Sequence, residues 1–350
     1  MTTTLSPSAA PATATAAARR AAPPIPGRFT RLVSRVGGGI GRGIAVLLPV
    51  LLITTFLTFL HGTVTGQDPA ASVLGDNARP EDVARMRGVF GLDRPFVVRY
   101  WDWLWDCLHG DLGSSWFTHI PVADSVMQRL PVSLSIAFFA LLLATFFGTL
   151  LGILAALSNG GIVDRAITLL ASVLSTIPGF VAAIGLIVIL SVTFPVFPSG
   201  GYVPPSDDPW MWIKCLTLPA IALSLDTAAD LSRQLRTGLS TSLQENYVVG
   251  ATMRGFSSRR IVGVHALRNG AGPAVATLGM HVPKLIGGAI IVETVFMMPG
   301  LGSLTKDAAL RGDVPVVQGT LLATVVIVVA SSVLFNALLY VLRPAARREV

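Results

Sequence analysis

Few charges fall inside the apolar stretches of this chain, so those few are the first candidates for chemistry. Asp226 and Asp230 stand one helical turn apart and therefore share one face. Two carboxylates placed so could line a cavity and attract an ammonium group or another cation. Equally, Asp230 could pair with Arg233 one turn onward while both carboxylates face a partner helix. Glu293 suits a substrate contact, a structural ion pair or the capping of a helix end, and Lys284 suits a pairing within a bundle. Each matters because an unpaired charge inside a bilayer is costly.

Catalytic chemistry finds no support beside them. The phosphate-loop pattern G-x-x-x-x-G-K-[ST] is absent, and the nearest string, Gly300 to Lys306, has the wrong spacing. Neither H-E-x-x-H nor a G-x-S-x-G elbow occurs. His61, His109, His119, His265 and His281 are scattered without metal-ligand spacing. The chain is therefore expected to be no enzyme and to bind no metal or cofactor of its own. Cys107 and Cys215 fit two thiols, or a disulfide in an oxidising compartment.

The elements that must carry these residues are membrane helices. Apolar residues make up 52% of the 350 and charged ones 13%, and the apolar residues gather in long runs. A spanning helix needs about 20 such residues. Six runs qualify: Ile44–Val64, Leu134–Leu157, Ile167–Phe194, Leu216–Leu235, Val275–Met298 and Val316–Leu342. The predicted fold is all-α and polytopic, since in lipid each backbone polar group must be satisfied within its own helix. The expected organisation has five parts. Residues 1–43 form a disordered basic tail and 44–64 a first span that serves as an uncleaved anchor. Residues 65–132 form an outer loop region, 133–342 a five-helix core, and 343–350 a second tail.

Charge sets the expected orientation. Arg19, Arg20, Arg28, Arg31, Arg35 and Arg42 crowd the N-terminal tail without an acid. The loop from Gly66 to Pro131 carries six arginines but nine acidic residues. The positive-inside rule places both termini, and the segment between the fourth and fifth spans, in the cytoplasm. The net charge of +7 is then a topology signal. Nucleic-acid binding is disfavoured, because no groove with interleaved aromatics accompanies it. In the outer loop, Glu81–Phe90 has helical character. Tyr100-Trp-Asp-Trp-Leu-Trp105 suits an interfacial anchor or a docking platform.

The polar segment between those spans, Tyr247 to Pro273, looks made to be gripped. Tyr247, Ala251 and Gly255 follow at four-residue steps along one helix face. Gly255 suits the left-handed position that closes a helix. Ser257 can cap a second helix with Ile261, Val264 and Leu267 turned inward. The predicted shape is a helical hairpin over residues 245–271.

These residues resemble the coupling loop of ABC importer permeases in its peptide-permease form. Tyr247-Val248, Ala251, Arg254-Gly255, Arg260 and His265-Ala-Leu-Arg-Asn269 before Pro273 carry the likeness. Val249 and Gly250 replace the Glu and first Ala of the general motif. Further matches follow in the family's order: Gly66-Gln-Asp-Pro-Ala70, Gly91-Leu-Asp-Arg-Pro95, Gly110-Asp-Leu-Gly113, Ile177-Pro-Gly-Phe180 and Leu218-Pro219. Ile291-Val-Glu-Thr-Val-Phe296 with Pro299-Gly-Leu-Gly302 completes them. The C-terminal Arg343-Pro344-Ala345 departs from the family's Asp-Pro-Arg.

The resemblance implies a six-helix type I importer fold in a prokaryotic cell membrane. It implies alternating access that passes di- or oligopeptides, or as the rival reading nickel or another small solute. A second permease subunit forming a heterodimer, two cytosolic ATPase subunits or one fused, and an extracytoplasmic solute-binding protein are the implied partners, with ATP and Mg held by the ATPases. Tyr247, Ala251, Arg254, Gly255, Arg260, His265 and Leu267 become the expected coupling residues. Asp226, Asp230 and Glu293 are the expected lining of the path. A membrane scaffold without a path is the rival from another class.

Overall fold

A computed structural model of the chain describes residues 48–60, 62, 68–75 and 77–342. The tails expected over 1–43 and 343–350, and the ends of the first span, lie outside these residues. Among the described residues the regular elements are all helices. They run α1 (Leu48–Leu60), α2 (Pro69–Leu74), α3 (Pro80–Val89), α4 (Phe96–Leu108) and α5 (Val122–Ser158). Then follow α6 (Ile162–Thr176), α7 (Gly179–Ile187), α8 (Pro209–Leu243), α9 (Asn246–Met253) and α10 (Ser258–Arg260). Last come α11 (Leu267–Gly270), α12 (Gly272–Val295), α13 (Leu301–Arg311) and α14 (Val314–Leu342).

Local chemistry explains most helix ends. Pro69, Pro80, Pro209 and Pro273 open helices, where a missing N–H costs nothing. Asp208 caps α8 by accepting from the N–H groups of Trp210 and Met211, at 2.9 and 3.0 Å. At the other end of α5, Asn159 takes a left-handed conformation and stops the helix.

α5, α8, α12 and α14 are each long and apolar enough to cross a bilayer. The third predicted span corrects the sequence reading. Ile167–Phe194 is not one helix: α6 and α7 meet at a 100° bend. Pro178 is the cause, since proline drives the residue before it out of helical geometry, and Ile177 is extended at φ −76°, ψ 120°. Beyond α7 the chain continues in a wide-turned stretch, Val188–Thr193. The fourth span runs past both ends predicted for it and holds Pro219 in its interior.

α8 is the central rod. α5 lies against it because Gly148 and Gly152 remove the side chains that would hold two helices apart. A Cβ at Gly148 would stand 2.9 Å from the Ala228 carbonyl oxygen, and one at Gly152 2.9 Å from that of Ser232. In lipid such contacts stabilise by packing, since hydrocarbon tails are as apolar as leucine. Ile136, Leu216, Leu218, Val292, Phe296 and Met298 form the buried core where α5, α8 and α12 meet. α6 is fastened to α8 by polar contacts as well. Asp164, 2% exposed, takes a bidentate grip from Arg236, whose second nitrogen lies 2.6 Å away, and accepts from the Gly160 N–H at 2.8 Å.

Candidate functional site

The helical hairpin is present, and its turn is the predicted one. α9 ends at Met253, and Gly255 at φ 77° reverses the chain. Only glycine adopts that conformation without steric cost. Ser257 occupies the cap position before α10 but makes no side-chain cap bond. The second arm also departs from expectation. Ile261–Ala266 winds in a wide turn rather than an α-helix, so the inward phase slips by a residue. Ile261 and Ala266 are buried, whereas Val264, expected inward, is 55% exposed.

Polar and backbone contacts join this hairpin to α8. The Tyr247 hydroxyl donates to Ser242 Oγ, which in turn donates to the Ala266 carbonyl at 3.0 Å. Gly238 on α8 and Gly270 on α11 meet backbone to backbone, leaving no room for a Cβ on either. Ala156, Leu239 and Ala266 form one buried cluster, and Leu267 packs against a second one made of Leu231, Leu235, Ala274 and Leu278. Ala251 is buried at the base of the turn. Ala251 and Leu267 thus face the bundle, while Tyr247 stays partly exposed and reaches it through its hydroxyl. Arg254 and Arg260 lie outside, with Arg259, Met253 and Val249 also exposed.

Sequence reasoning missed Phe256. Its ring stacks on the imidazole of His265, with centroids 6.0 Å apart and planes 8° from parallel. Arg260 lies over the same ring at 4.6 Å. These two contacts tie the turn to the second arm. An aromatic side chain between a turn glycine and an arginine–histidine pair was the available signal.

The three predicted path residues do not form one site. Asp226 pairs with Lys284. Asp230 pairs with Arg233 and lies 3.0 Å from His281 Nε2, while His281 Nδ1 is 3.1 Å from the Thr227 hydroxyl. Arg233 also donates to Ser175 Oγ on α6, at 3.0 Å. Asp226, Asp230 and His281 present ligand atoms within 4.8 Å of one another, the only such trio among the described residues. Each carboxylate already has a cationic partner, however, which opposes a second cation there.

Glu293 belongs elsewhere. It is 0% exposed, and the chain's own groups occupy its carboxylate. Oε1 accepts from Ser133 Oγ at 2.6 Å and Oε2 from the Ser303 N–H at 3.0 Å, while Ser133 Oγ accepts from the Leu301 N–H at 2.8 Å. The residue staples α5, α12 and the start of α13 together, which fits the helix-end role among the alternatives its position offers. Gly300 and Gly302 now have a reason. A Cβ on Gly300 would run into the Glu293 carboxylate, and one on Gly302 into Ile290.

A second enclosed carboxylate, Asp313, closes the opposite end of the bundle from the hairpin. Ser115 Oγ donates to it at 2.5 Å and the Trp116 N–H at 3.2 Å. Burial pushes its carboxyl above the ordinary aspartate value, with those two bonds opposing. Nearby, Phe59, Tyr100 and Val314 share a cluster, while Trp101 and Trp105 on the other face of α4 are exposed.

Residues 148–348 match the family described as binding-protein-dependent transport system inner membrane component, and residues 39–137 match that family's N-terminal region. A peptide transport system permease protein of Brucella abortus (strain 2308) is 37% identical over 306 residues, 87% of this chain and 98% of that one. A peptide ABC transporter permease protein of Sinorhizobium fredii is 32% identical over 286 residues, 82% and 91% of the two chains. The dipeptide transport system permease protein of Escherichia coli K12 is 31% identical over 334 residues, covering 88% of this chain and 98% of its own.

Proposed function

We propose that this chain, which belongs to the family of binding-protein-dependent transport system inner membrane components, is the subunit through which di- and oligopeptides cross the membrane. The transport role and the multi-pass membrane location come with the family, as does work alongside ATPase and binding-protein subunits. The peptide reading draws on the names of the relatives described above. In this reading both termini and the hairpin face the cytoplasm, and a second, different permease subunit completes the path. Two ATPases, holding ATP and Mg, sit beneath the hairpin, and a solute-binding protein docks on the opposite end.

The observation that carries the coupling role is the way the hairpin is built into α8. Tyr247, Ala251 and Leu267 anchor it, the Gly238–Gly270 contact removes slack, and Arg254 and Arg260 with exposed Met253 and Val249 offer the ATPase a mixed surface. His265 and Phe256 keep the turn in shape under load. Closure of the ATPases around nucleotide favours one bundle conformation over the other, which is all that alternating access requires.

A trio of two carboxylates and a histidine is what would favour nickel as cargo, but its pairing with Lys284 and Arg233 removes the needed negative charge. The test is reconstitution of the full complex in vesicles with labelled dipeptide. Uptake should require ATP and the binding protein. Gly255→Leu should abolish uptake while leaving membrane insertion intact, and normal uptake by that variant would remove the hairpin from the mechanism.

A further inference from the structure

Lys284 lies near the middle of α12 and Asp226 near the middle of α8, so both sit at mid-depth of the spans. Yet the Lys284 side chain is 64% exposed and that of Asp226 31%. A paired charge can be buried in a bundle, but an exposed lysine at that depth cannot face lipid tails. The face of α8 and α12 bearing this pair must therefore meet water or polar groups. Arg233, with its side chain 36% exposed, continues the same polar strip one to two turns along α8.

The charge inventory narrows what the strip can take. The carboxylates of Asp226 and Asp230 are matched by the cations of Lys284 and Arg233, so the strip attracts neither a free cation nor a free anion strongly. A molecule carrying one charge of each sign fits such a surface, because it can replace both halves of an ion pair at once. The Asp226–Lys284 bond is the exchangeable one. Asp230 is held by Arg233 and His281 together, and Arg233 is tied further to α6, whereas Lys284 makes no other hydrogen bond among the described residues.

We propose that Asp226 and Lys284 form a transient binding step for the zwitterionic backbone of a passing peptide, Asp226 receiving the terminal ammonium and Lys284 the terminal carboxylate. This rests on the peptide reading above. The alternative occupant of the same face is the second permease subunit, held by a fixed ion pair.

A double-mutant comparison in the reconstituted complex separates the two. Asp226→Asn, Lys284→Gln, the two combined, and Lys284→Arg are compared for dipeptide uptake, for binding-protein-stimulated ATP hydrolysis and for assembly. If the pair contacts peptide, each single neutral variant assembles and hydrolyses ATP but loses roughly tenfold in uptake. The combined variant is no better, and Lys284→Arg retains uptake. If the pair is only structural, removing both charges relieves the stranded partner, and the combined variant recovers what the singles lose. Such recovery overturns the proposal. So does unchanged uptake in the singles, or failure of all four variants to assemble. A wild-type complex that takes up no dipeptide would instead sink the peptide reading itself.

Discussion

The middle and the C-terminal end of α12 take part in carboxylate sites of opposite design. Around Glu293, neutral donors of the chain's own Ser133 and Ser303 enclose the carboxylate completely. Around Lys284, full charges meet in pairs on a face the isolated chain leaves open. The first arrangement fixes three helices relative to one another and has no capacity left for a ligand. The second keeps its groups reachable. An intramembrane charge is thus no guide to transport by itself; what decides is whether its partners leave it any exposure.

Substitutions can break or sharpen this contrast. Glu293→Ala strands a buried hydroxyl and a half-buried N–H, and should cost about 3 kcal/mol of stability in detergent, read as a large fall in the midpoint of thermal unfolding. Gly300→Ala attacks the same site from outside by pressing a methyl group on the carboxylate, at about 1–3 kcal/mol. Asp226→Asn should change the same midpoint little, at most about 1 kcal/mol, because its pair is half open to solvent. A large stability loss there would erase the contrast.

Asp313 offers the finest test. Its carboxyl is enclosed like Glu293 and its value is raised. A raised carboxyl favours the fold while protonated. That contribution is complete below the ordinary aspartate range and is lost as pH rises through the raised value. Unfolding midpoints of the wild type should therefore decline across that window relative to Asp313→Asn, and parallel curves would contradict the assignment.

Much of this was readable from residue order alone. Long apolar runs announced α5, α8, α12 and α14, and four-residue steps with a turn glycine announced the hairpin. What escaped involved either a local backbone choice or a distant partner. Proline disfavours helical geometry in the residue before it, yet the size of the bend at Pro178 depends on what α7 packs against. The wide turn at Ile261–Ala266 has no periodic signature, so Val264 was assigned to the wrong side. Glu293 looked like a path residue because Ser133 is 160 positions away. The stacking of Phe256 on His265 was hidden for a similar reason, on a smaller scale.

The contact of Gly238 with Gly270 has a mechanical consequence. Asp226 lies twelve positions before Gly238 on the same unbroken helix, about 18 Å at 1.5 Å per residue. α8 thus behaves as a connecting rod with one end clamped to the hairpin and the midpoint carrying a charge. A tilt imposed at the clamp would therefore reach Asp226 without a compliant joint between them.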